Sequence, residues 1–277
     1  MESVLDLLRK SGRFPASMSS DGPFDIRAYE LRKAERYNGS DGSETDYNCS
    51  KCRNRGNYMR IDEDNNELFD VCSCMKIRAS IRRMRNSGLE GIVKRCTFDS
   101  FKADEPWQDG IKRKAQSYAE CGYSSGAWFY IGGQPGCGKT HLCTAICRHA
   151  LYAGKSVFYM PWLTKIADLK AEMYDAPDDY ARDIGQLKRI ELLYIDDFFK
   201  PVRDIQPTAA DVKLAYDIIN YRYINGLPTI ISSEKNADEL VDIDEATGSR
   251  ICEKAKGYNI TVERGEGKNW RMREAEQ

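Results

Sequence analysis

The clearest pattern in the later part of the chain is an alternation between short, mostly apolar runs and longer stretches with helical periodicity. Such runs are typical of strands that are buried on both faces of a sheet. Strands that alternate with helices predict a parallel sheet with helices on both sides. The five runs are Trp128–Ile131, Val157–Met160, Leu192–Ile195, Thr229–Ile231 and Tyr258–Val262. We therefore predict an α/β fold with five parallel strands within residues 97–277.

One of the predicted helices has readable ends. Thr208 is a suitable N-cap, and Asp211 stands three residues later, as in a capping box. Gly226 and Pro228 mark the end of the helix. Apolar residues recur at spacings of four, three and four, which predicts one buried face made of Val212, Tyr216, Ile219 and Tyr223.

The chain before residue 97 divides into three parts by its composition. Residues 1–48 contain two amphipathic helical stretches and a polar linker, and the cluster Val4, Leu5, Leu7, Leu8 and the helix Phe24–Tyr37 could dock on a partner. Residues 49–75 are bounded by cysteines. Residues 76–96 are basic, with seven Lys or Arg against one acid, and predict a linker helix. The predicted domains are therefore 1–48, 49–75, 76–96 and 97–277.

Charge and composition exclude several classes of protein. The 277 residues contain 42 Lys or Arg and 43 Asp or Glu, so the formal net charge is −1. This balance excludes a globally basic nucleic-acid coat, and any nucleic-acid contact must use a local patch. No apolar run approaches the roughly 18 residues of a membrane helix, and the first residues lack the features of a signal peptide. We expect a cytoplasmic protein in which the ten cysteines are reduced and paired cysteines bind metal.

A phosphate-binding loop follows the first predicted strand. Gly133, Gln134, Pro135, Gly136, Cys137, Gly138, Lys139 and Thr140 match the pattern G-x-x-x-x-G-K-[ST], and His141 follows. A strand before the loop and a helix after it are the context that this motif requires. Glycines let backbone N–H groups surround a phosphate, and the helix start adds positive potential. Lys139 is expected to reach the β- and γ-phosphates, and Thr140 to ligate Mg²⁺.

Two carboxylates end another predicted strand. Asp196 and Asp197 follow four apolar residues, at the sheet edge where α/β proteins bind ligands. We expect Asp196 to hold Mg²⁺, directly or through water, and Asp197 to orient the attacking water. The late strand continues as Ser-Ser-Glu-Lys-Asn-Ala-Asp and lacks the Asn-Lys-x-Asp element of GTPases. The nucleotide is therefore predicted to be ATP.

The cysteine-bounded segment predicts a zinc site. Cys49 and Cys52 form one close pair, and Cys72 and Cys74 form a second pair after 19 intervening residues. Two such pairs can supply four thiolates to one tetrahedral Zn²⁺. The residues between the pairs predict a β-hairpin with strands near 58–62 and 68–71. The alternative is a small core of reduced cysteines.

Four sequence stretches together carry a family resemblance. The run 133–142 (GQPGCGKTHL), the pair Asp196–Asp197, the strand 228–233 (PTIISS) and the box 248–251 (GSRI) resemble the bacterial and phage helicase-loader ATPases. These form the DnaC/DnaI-like branch of AAA+ proteins, and the transposition helpers called IstB-like share the same core. The resemblance implies a P-loop AAA+ (ASCE) domain without a full helical lid, preceded by a zinc module and a helical N-terminal segment.

The resemblance also implies roles for individual residues. Arg250 matches the arginine finger, which in this family acts on the ATP of a neighbouring subunit, so self-association through the ATPase domain is expected. The strand 228–233 is expected to carry the sensor of the γ-phosphate, but Glu234 stands where the family often has Asn, and only Ser232 and Ser233 could substitute for it. The segment Thr97–Phe101 resembles the family's lead-in to the loop and either shapes the adenine pocket or fills the core.

Partners and overall function follow from the same resemblance. It implies an ATPase, stimulated by assembly or single-stranded DNA, that loads a hexameric replicative helicase in a bacterial cell, with a phage origin also open. The residues that could contact DNA are the basic ones in 76–95 and the run 198–203 (FFKPVR), although a solvated linker and a buried Phe pair are alternatives. Two other functions stay open: an IstB-like transposition helper that acts on duplex DNA, and a nucleotide-gated binding protein with little turnover.

Overall fold

The computed structural model describes residues 25–86, 90–201 and 206–273. The chain forms two compact units: residues 25–44 with 48–72, and residues 45–47 with the described residues from Ser73 onward. The predicted helical stretch before Gly12, the apolar cluster at residues 4–8 and Phe24 lie outside the described residues.

The first unit consists of one helix and a β-hairpin. Helix α1 (Ile26–Gly39) begins after Asp25, whose carboxylate accepts the Ala28 N–H at 3.0 Å. Strands β1 (Asn57–Ile61) and β2 (Glu67–Val71) pair antiparallel. Their turn is held by Asp62, whose Oδ1 accepts the N–H groups of the second and fourth following residues. The buried core of this unit consists of Ala34, Met59 and Ile61, with Tyr37 packed against them.

The second unit is built on a five-stranded sheet, which confirms the predicted fold class. All five strands are parallel and follow the order β4-β5-β6-β3-β7. The strands are β3 (Phe129–Gly133), β4 (Val157–Pro161), β5 (Leu192–Asp196), β6 (Thr229–Ser233) and β7 (Asn259–Val262). The three middle strands are buried along their whole length, as their apolar runs predicted.

Helices cover both faces of this sheet. They are α2 (Cys74–Asn86), α3 (Glu90–Arg95), α4 (Pro106–Ser117), α5 (Lys139–Tyr152), α6 (Trp162–Asp175), α7 (Pro177–Arg189), α8 (Ala209–Ile224), α9 (Ala237–Ile243), α10 (Glu245–Lys254) and α11 (Trp270–Arg273). Successive strand residues point to opposite faces, so Ile131 belongs to the core with α4 and α5, whereas Tyr130 belongs to the core with α6 to α10.

Helix α8 has the predicted ends and buries a face that overlaps the predicted one. The capping box between Thr208 and Asp211 is present. The predicted face was wrong at Tyr216, which is 37% exposed. Ile219 is buried as predicted, and Val212 and Tyr223 pack partly buried against the core. The other buried residues of the helix are Leu214, Ala215, Ile218 and Arg222. Apolar periodicity alone does not show that a long polar residue, Arg222, also faces the interior.

The described residues after β7 contain little secondary structure. Beyond β7, the described residues include one four-residue helix, α11, and no helical lid. Across the described ranges, none of the helices combines the length and apolarity that crossing a membrane requires.

Candidate functional site

The phosphate loop connects β3 to α5 through glycines with left-handed backbone. Gly136 and Gly138 have φ values of 77° and 95°. A side chain at Gly138 would place its Cβ 2.6 Å from the Phe101 ring, and one at Gly136 would meet Asn269. Both the conformation and the space therefore require glycine. The loop ends at the N-terminus of a 14-residue helix, where unpaired N–H groups attract anions.

Lys139 is folded against its own loop. Its Nζ donates to the carbonyls of Gly133 at 2.7 Å and Gln134 at 3.0 Å, and the residue is 6% exposed. These carbonyls hold the ammonium group at the wall of the cavity described below.

Asp196, at the end of β5, is surrounded by hydroxyl groups. Tyr194 donates to its Oδ1 at 2.6 Å, and Tyr159 donates to its Oδ2 at 2.9 Å. The Ser232 hydroxyl also donates to Oδ1, and Thr140 Oγ1 lies 3.4 Å from the same atom. Burial and the nearby Asp196 charge raise the pKa of Tyr159, so its hydroxyl stays a donor.

These hydroxyl groups fix the Asp196 carboxylate at the carboxyl end of β5. Asp196 and Thr140 together offer the oxygen ligands that Mg²⁺ prefers. Sequence reasoning missed Tyr159 and Tyr194. Tyr194 stands two residues before Asp196, on the same side of the strand, which was the available signal, whereas Tyr159 comes from the neighbouring strand.

Asp197 begins a strained turn that serines of β6 hold in place. Asp197 and Phe199 have φ values of 55° and 51°, which is unfavourable for a bulky Phe. Ser232 Oγ accepts the Asp197 N–H at 3.2 Å, and Ser233 Oγ donates to the Phe198 carbonyl at 2.7 Å. Backbone strain of this kind concentrates at functional sites. The turn directs the Asp197 carboxylate into the cavity next to Lys139.

Lys200 bridges two carboxylates at this edge. Its Nζ lies 2.8 Å from Asp197 Oδ2 and 3.1 Å from Glu234 Oε1. Burial alone lowers the pKa of Lys200, but the hydrogen bonds and charges of the two carboxylates outweigh burial and raise it. Glu234, at the position where the resembled family often has Asn, thus has a cationic partner that no sequence motif indicated.

The loop, the acidic turn and two other segments enclose a cavity of about 430 Å³. A cavity of this volume is in the range of small-ligand sites. Besides the loop residues 135–141, it is lined by Ile92, Cys96, Ser100, Phe101, Lys102, Trp107, Gln108, Asp197, Lys200, Glu234, Gly267, Lys268, Trp270 and Arg271. The structure therefore brings Lys139, Thr140, His141 and Asp197 to one cavity, as the sequence motifs predicted that they would lie together.

The lead-in segment lies against the start of α5. His141 Nε2 is 2.9 Å from the Thr97 carbonyl and 3.3 Å from Ser100 Oγ, and the His141 ring packs edge-on against Phe101. Of the predicted lead-in, Ser100 and Phe101 line the cavity. Phe101 is also 7% exposed, so it fills the core and shapes the cavity at once.

A segment after β7 is hydrogen-bonded to the phosphate loop. The Gln134 side chain exchanges two hydrogen bonds with the backbone of Gly265, at 3.2 and 2.8 Å. The backbone N–H of Trp270 donates to the Gly136 carbonyl at 3.0 Å. The ammonium group of Lys102 lies 4.9 Å from the Trp270 ring centre. These contacts close one side of the cavity, and no sequence motif pointed to them.

Arg250 lies on α10, outside the set of residues that line the cavity in the described part of the chain. Its Nη1 donates to the Ala246 carbonyl at 2.6 Å, and its Nε donates to Asn220 Oδ1 at 3.1 Å. The guanidinium also lies between the rings of Tyr216 and Tyr223, 5.3 and 5.4 Å from their centres. Tyr216, which is 37% exposed, thus contacts Arg250 rather than the core.

The run 198–203 does not offer its aromatic residues for base stacking. Phe198 and Phe199 are 0% and 1% exposed. They stack on each other and pack edge-on against Trp162. The stacking hypothesis was therefore wrong, because the strained turn directs both rings into the core, and the buried alternative is correct. Residues 202–205 lie outside the described residues.

The described residues of the basic stretch are mostly helical and belong to α2 and α3, on either side of residues 87–89, which lie outside the described residues. Arg78 is 0% exposed, and Arg82 and Arg85 each pair with Asp46. Ser80 accepts the Val157 N–H at 3.3 Å, which attaches α2 to the sheet edge. Fewer of these cations are available to a phosphate backbone than the sequence alone suggested.

The four predicted zinc ligands lie together. The Sγ atoms of Cys49, Cys52, Cys72 and Cys74 all lie within 4.8 Å of one another, and all four residues are buried. Cys49 Sγ and Cys72 Sγ are 3.8 Å apart, too far for a disulfide. Tetrahedral zinc with Zn–S bonds of about 2.3 Å places its sulfur ligands about 3.8 Å apart. The donor set therefore fits Zn²⁺.

Comparisons with known proteins agree with this geometry. The profile of the family described as IstB-like ATP binding protein matches residues 78–243. The phage-like element PBSX protein XkdC of Bacillus subtilis (strain 168) is 30% identical over 274 residues, covering 95% of this chain and 92% of the relative. The replicative helicase loader DnaC of Escherichia coli (strain K12) is 24% identical over 176 residues, covering 63% of this chain and 69% of the loader.

A solved structure shares the fold. The crystal structure of the DnaC helicase loader superposes with a TM-score of 0.52 at 20% identity, covering 61% of this chain and 97% of that one. The family profile covers more than half of the chain, and the relative XkdC spans nearly all of it. The chain therefore belongs to the IstB-like ATP-binding proteins and has a DnaC-like AAA+ fold.

Proposed function

We propose that the protein hydrolyses ATP to ADP and phosphate in the cavity of the second unit. The observation that carries this proposal is the convergence of Lys139, Thr140, Asp196 and Asp197 at one end of the sheet. The loop N–H groups bind the phosphates, and Lys139 moves from its carbonyl partners to the β- and γ-phosphates. Thr140 and Asp196 hold Mg²⁺, which when bound neutralises charge on the phosphate oxygens.

Asp197 orients the attacking water. Its carboxylate lines the cavity, whereas Asp196 is not among the residues that line it and accepts hydrogen bonds from Tyr159 and Tyr194. The water oxygen bonds to the γ-phosphorus while the bond to the β-bridging oxygen breaks, and ADP leaves with that electron pair. The division of labour between the two carboxylates follows from their different surroundings.

Arg250 acts on the ATP of a neighbouring subunit. It lies outside its own cavity among the described residues, on a face where two tyrosines and Asn220 hold its guanidinium. An arginine supplied in trans can contribute a factor of about 10³–10⁵ to the rate. Self-association through the ATPase domain is part of this proposal.

We propose that this ATPase serves as a loader of a hexameric replicative helicase onto single-stranded DNA. Similarity to proteins named replicative helicase loader supports this role. The cysteine cluster, proposed to hold one Zn²⁺, and the helix α1 before it supply surface beyond the ATPase core. The second candidate is a transposition helper that acts on duplex DNA, which the name of the family profile favours.

The first experiment measures ATP hydrolysis by the full chain, alone and with single-stranded DNA and a replicative helicase from the same source. We expect hydrolysis that both partners stimulate, and Arg250→Ala should remove the stimulation while leaving nucleotide binding intact. Lys139→Ala should abolish binding. Hydrolysis that is indifferent to the helicase and DNA would contradict the loader role but not the ATPase.

A second experiment separates the two candidate roles. Binding of the ATP-bound protein to single-stranded and duplex DNA is compared at one fixed salt concentration, because phosphate contacts depend strongly on salt. Preference for single strands supports the loader. Preference for duplex DNA supports the transposition helper and overturns the loader.

A further inference from the structure

Lys200, the cation between Asp197 and Glu234, has one N–H donor that these two contacts do not use. A lysine ammonium group carries three N–H donors. Asp197 Oδ2 and Glu234 Oε1 take two of the donors of Lys200, at 2.8 and 3.1 Å. The Lys200 side chain is 35% exposed and lines the cavity, so the third donor can reach a group inside it.

The surroundings of Lys200 create an electrostatic problem for an incoming nucleotide. Two carboxylates, Asp197 and Glu234, line the same cavity as the phosphate loop. A third, Asp196, is 7% exposed and stands directly before Asp197 in the chain. A terminal phosphate adds further negative charge, and like charges at short range in a partly buried site repel strongly. A cation between the carboxylates and the phosphate would relieve that repulsion.

Hydrogen bonds hold the backbone of Lys200 in place, whereas its ammonium group can move. Its backbone N–H donates to the Asp197 carbonyl at 3.0 Å, and the turn has left-handed backbone at Asp197 and Phe199. Glu234 follows β6, whose Ser232 and Ser233 are bonded to the same turn. The ammonium group can therefore shift between the carboxylates and the cavity without a change in the backbone.

Resting on the proposed function, we propose that Lys200 binds the γ-phosphate of ATP and thereby controls Asp197. Without a γ-phosphate, Lys200 occupies Asp197 Oδ2. When ATP binds, the ammonium group turns to a γ-phosphoryl oxygen, Glu234 keeps it anchored, and Asp197 becomes free to orient water. ADP lacks the phosphoryl group, so the bridge re-forms after hydrolysis. Lys200 thus distinguishes ATP from ADP.

The test measures nucleotide affinity in the full chain with fluorescent ADP and a fluorescent non-hydrolysable ATP analogue. Lys200→Met should weaken the ATP analogue about tenfold to a hundredfold, the loss expected for one charge-assisted hydrogen bond, and leave ADP within about twofold. Lys200→Arg keeps the charge and should preserve most of the discrimination. Lys213→Met, an exposed lysine on α8, is the matched control and should change neither affinity.

A double variant sharpens the test. Glu234→Gln removes one repelling charge, so Lys200→Met with Glu234→Gln should bind the ATP analogue more tightly than Lys200→Met alone. Equal loss of both nucleotides in Lys200→Met, with thermal unfolding lowered in parallel, would show a structural bridge and overturn the proposal. An unchanged ratio would also overturn it while leaving the ATPase intact. Failure of the wild-type chain to bind either nucleotide would overturn both proposals.

Discussion

The two units of the chain differ in how much apolar surface they bury. The first has a buried apolar cluster of three residues, and one edge strand exposes Leu68, Phe69 and Val71. The second places two large apolar clusters on the two faces of its sheet. A segment as small as the first cannot bury enough apolar surface to offset its conformational entropy. We therefore expect metal ligation by the four cysteines to compensate for the small core of the first unit, whereas apolar burial stabilises the second.

Removal of the metal should have the largest effect on stability, and it should affect the two units differently. Structural zinc contributes about 10–16 kcal/mol in small zinc-dependent folds. Treatment with a strong chelator should abolish amide protection in β1 and β2, while the sheet of the second unit keeps its protection. Hydrogen exchange with mass spectrometry measures both units in the same sample.

Variants provide the control for the chelation experiment. Cys52→Ser should reproduce the loss of protection, whereas Cys121→Ser, at an exposed free cysteine, should not. Metal analysis of the purified protein should find one zinc per chain. Protected amides at 57–71 in metal-free protein would contradict the difference between the units.

Replacement of a buried arginine should give the second-largest effect, this time in the second unit. Arg222 is 0% exposed and donates to the carbonyls of Leu187, Lys188, Ile190 and Pro228, at 2.6 to 3.2 Å, and to the Thr229 hydroxyl. Burial lowers the pKa of this guanidinium from its ordinary value. Arg222→Met removes the five hydrogen bonds of this buried side chain and should lower the free energy of unfolding by about 3–5 kcal/mol.

Urea unfolding followed by far-UV circular dichroism measures this loss. Arg182→Met, on an exposed face of α7, is the matched control and should stay within about 0.5 kcal/mol of the wild type. A change below 1 kcal/mol for Arg222→Met would show that α8 and its neighbours do not depend on this arginine.

Loss of a helix cap should give a smaller effect that differs between the units. Asp25→Ala and Thr208→Ala each remove one capping hydrogen bond, worth about 1 kcal/mol, from α1 and α8. In the first unit the loss falls on a helix with one buried residue, Ala34, so α1 should exchange measurably faster. In the second unit α8 is held by its buried face, so only its first turn should respond. Equal increases in exchange for α1 and α8 would contradict this difference between the units.

A substitution on the exposed face of β2 should have the smallest effect on the free energy of unfolding. Val71 is 75% exposed at the end of β2. Val71→Thr should change the free energy of unfolding by less than about 0.5 kcal/mol, because the outer face of the hairpin buries little. A larger loss in thermal unfolding would show that this face carries packing.

Local patterns were predictable from the sequence, and long-range side-chain contacts were not. The strands, the capping box at Thr208 and the meeting of four cysteines each follow from spacing along a short segment. The roles assigned to Lys139, Asp197 and Arg250 stay predictions. The hydrogen bond from Tyr159 to Asp196 joins residues 37 apart, and that between Gln134 and Gly265 joins residues 131 apart. Periodicity carries no information on such pairs.

The burial of Arg222 and of the pair Phe198 and Phe199 also depends on long-range contacts that periodicity does not show. Arg222 faces the interior because five oxygen acceptors surround it, and these come from separate elements. Phe198 and Phe199 turn inward because the backbone after Asp197 takes left-handed values that Ser232 and Ser233 stabilise. In both cases the environment of a residue, rather than its type, decides where it lies.

The two tryptophans at the cavity give the protein an optical signal of its own. Of its four tryptophans, Trp107 and Trp270 line the cavity, each with a lysine ammonium near its ring. Trp128 and Trp162 are 0% and 3% exposed and belong to the core on the other side of the sheet. A ligand that enters the cavity displaces water and charge around the first pair and leaves the second pair unchanged. Intrinsic fluorescence therefore reports occupancy of the cavity in the unlabelled chain, against a constant background.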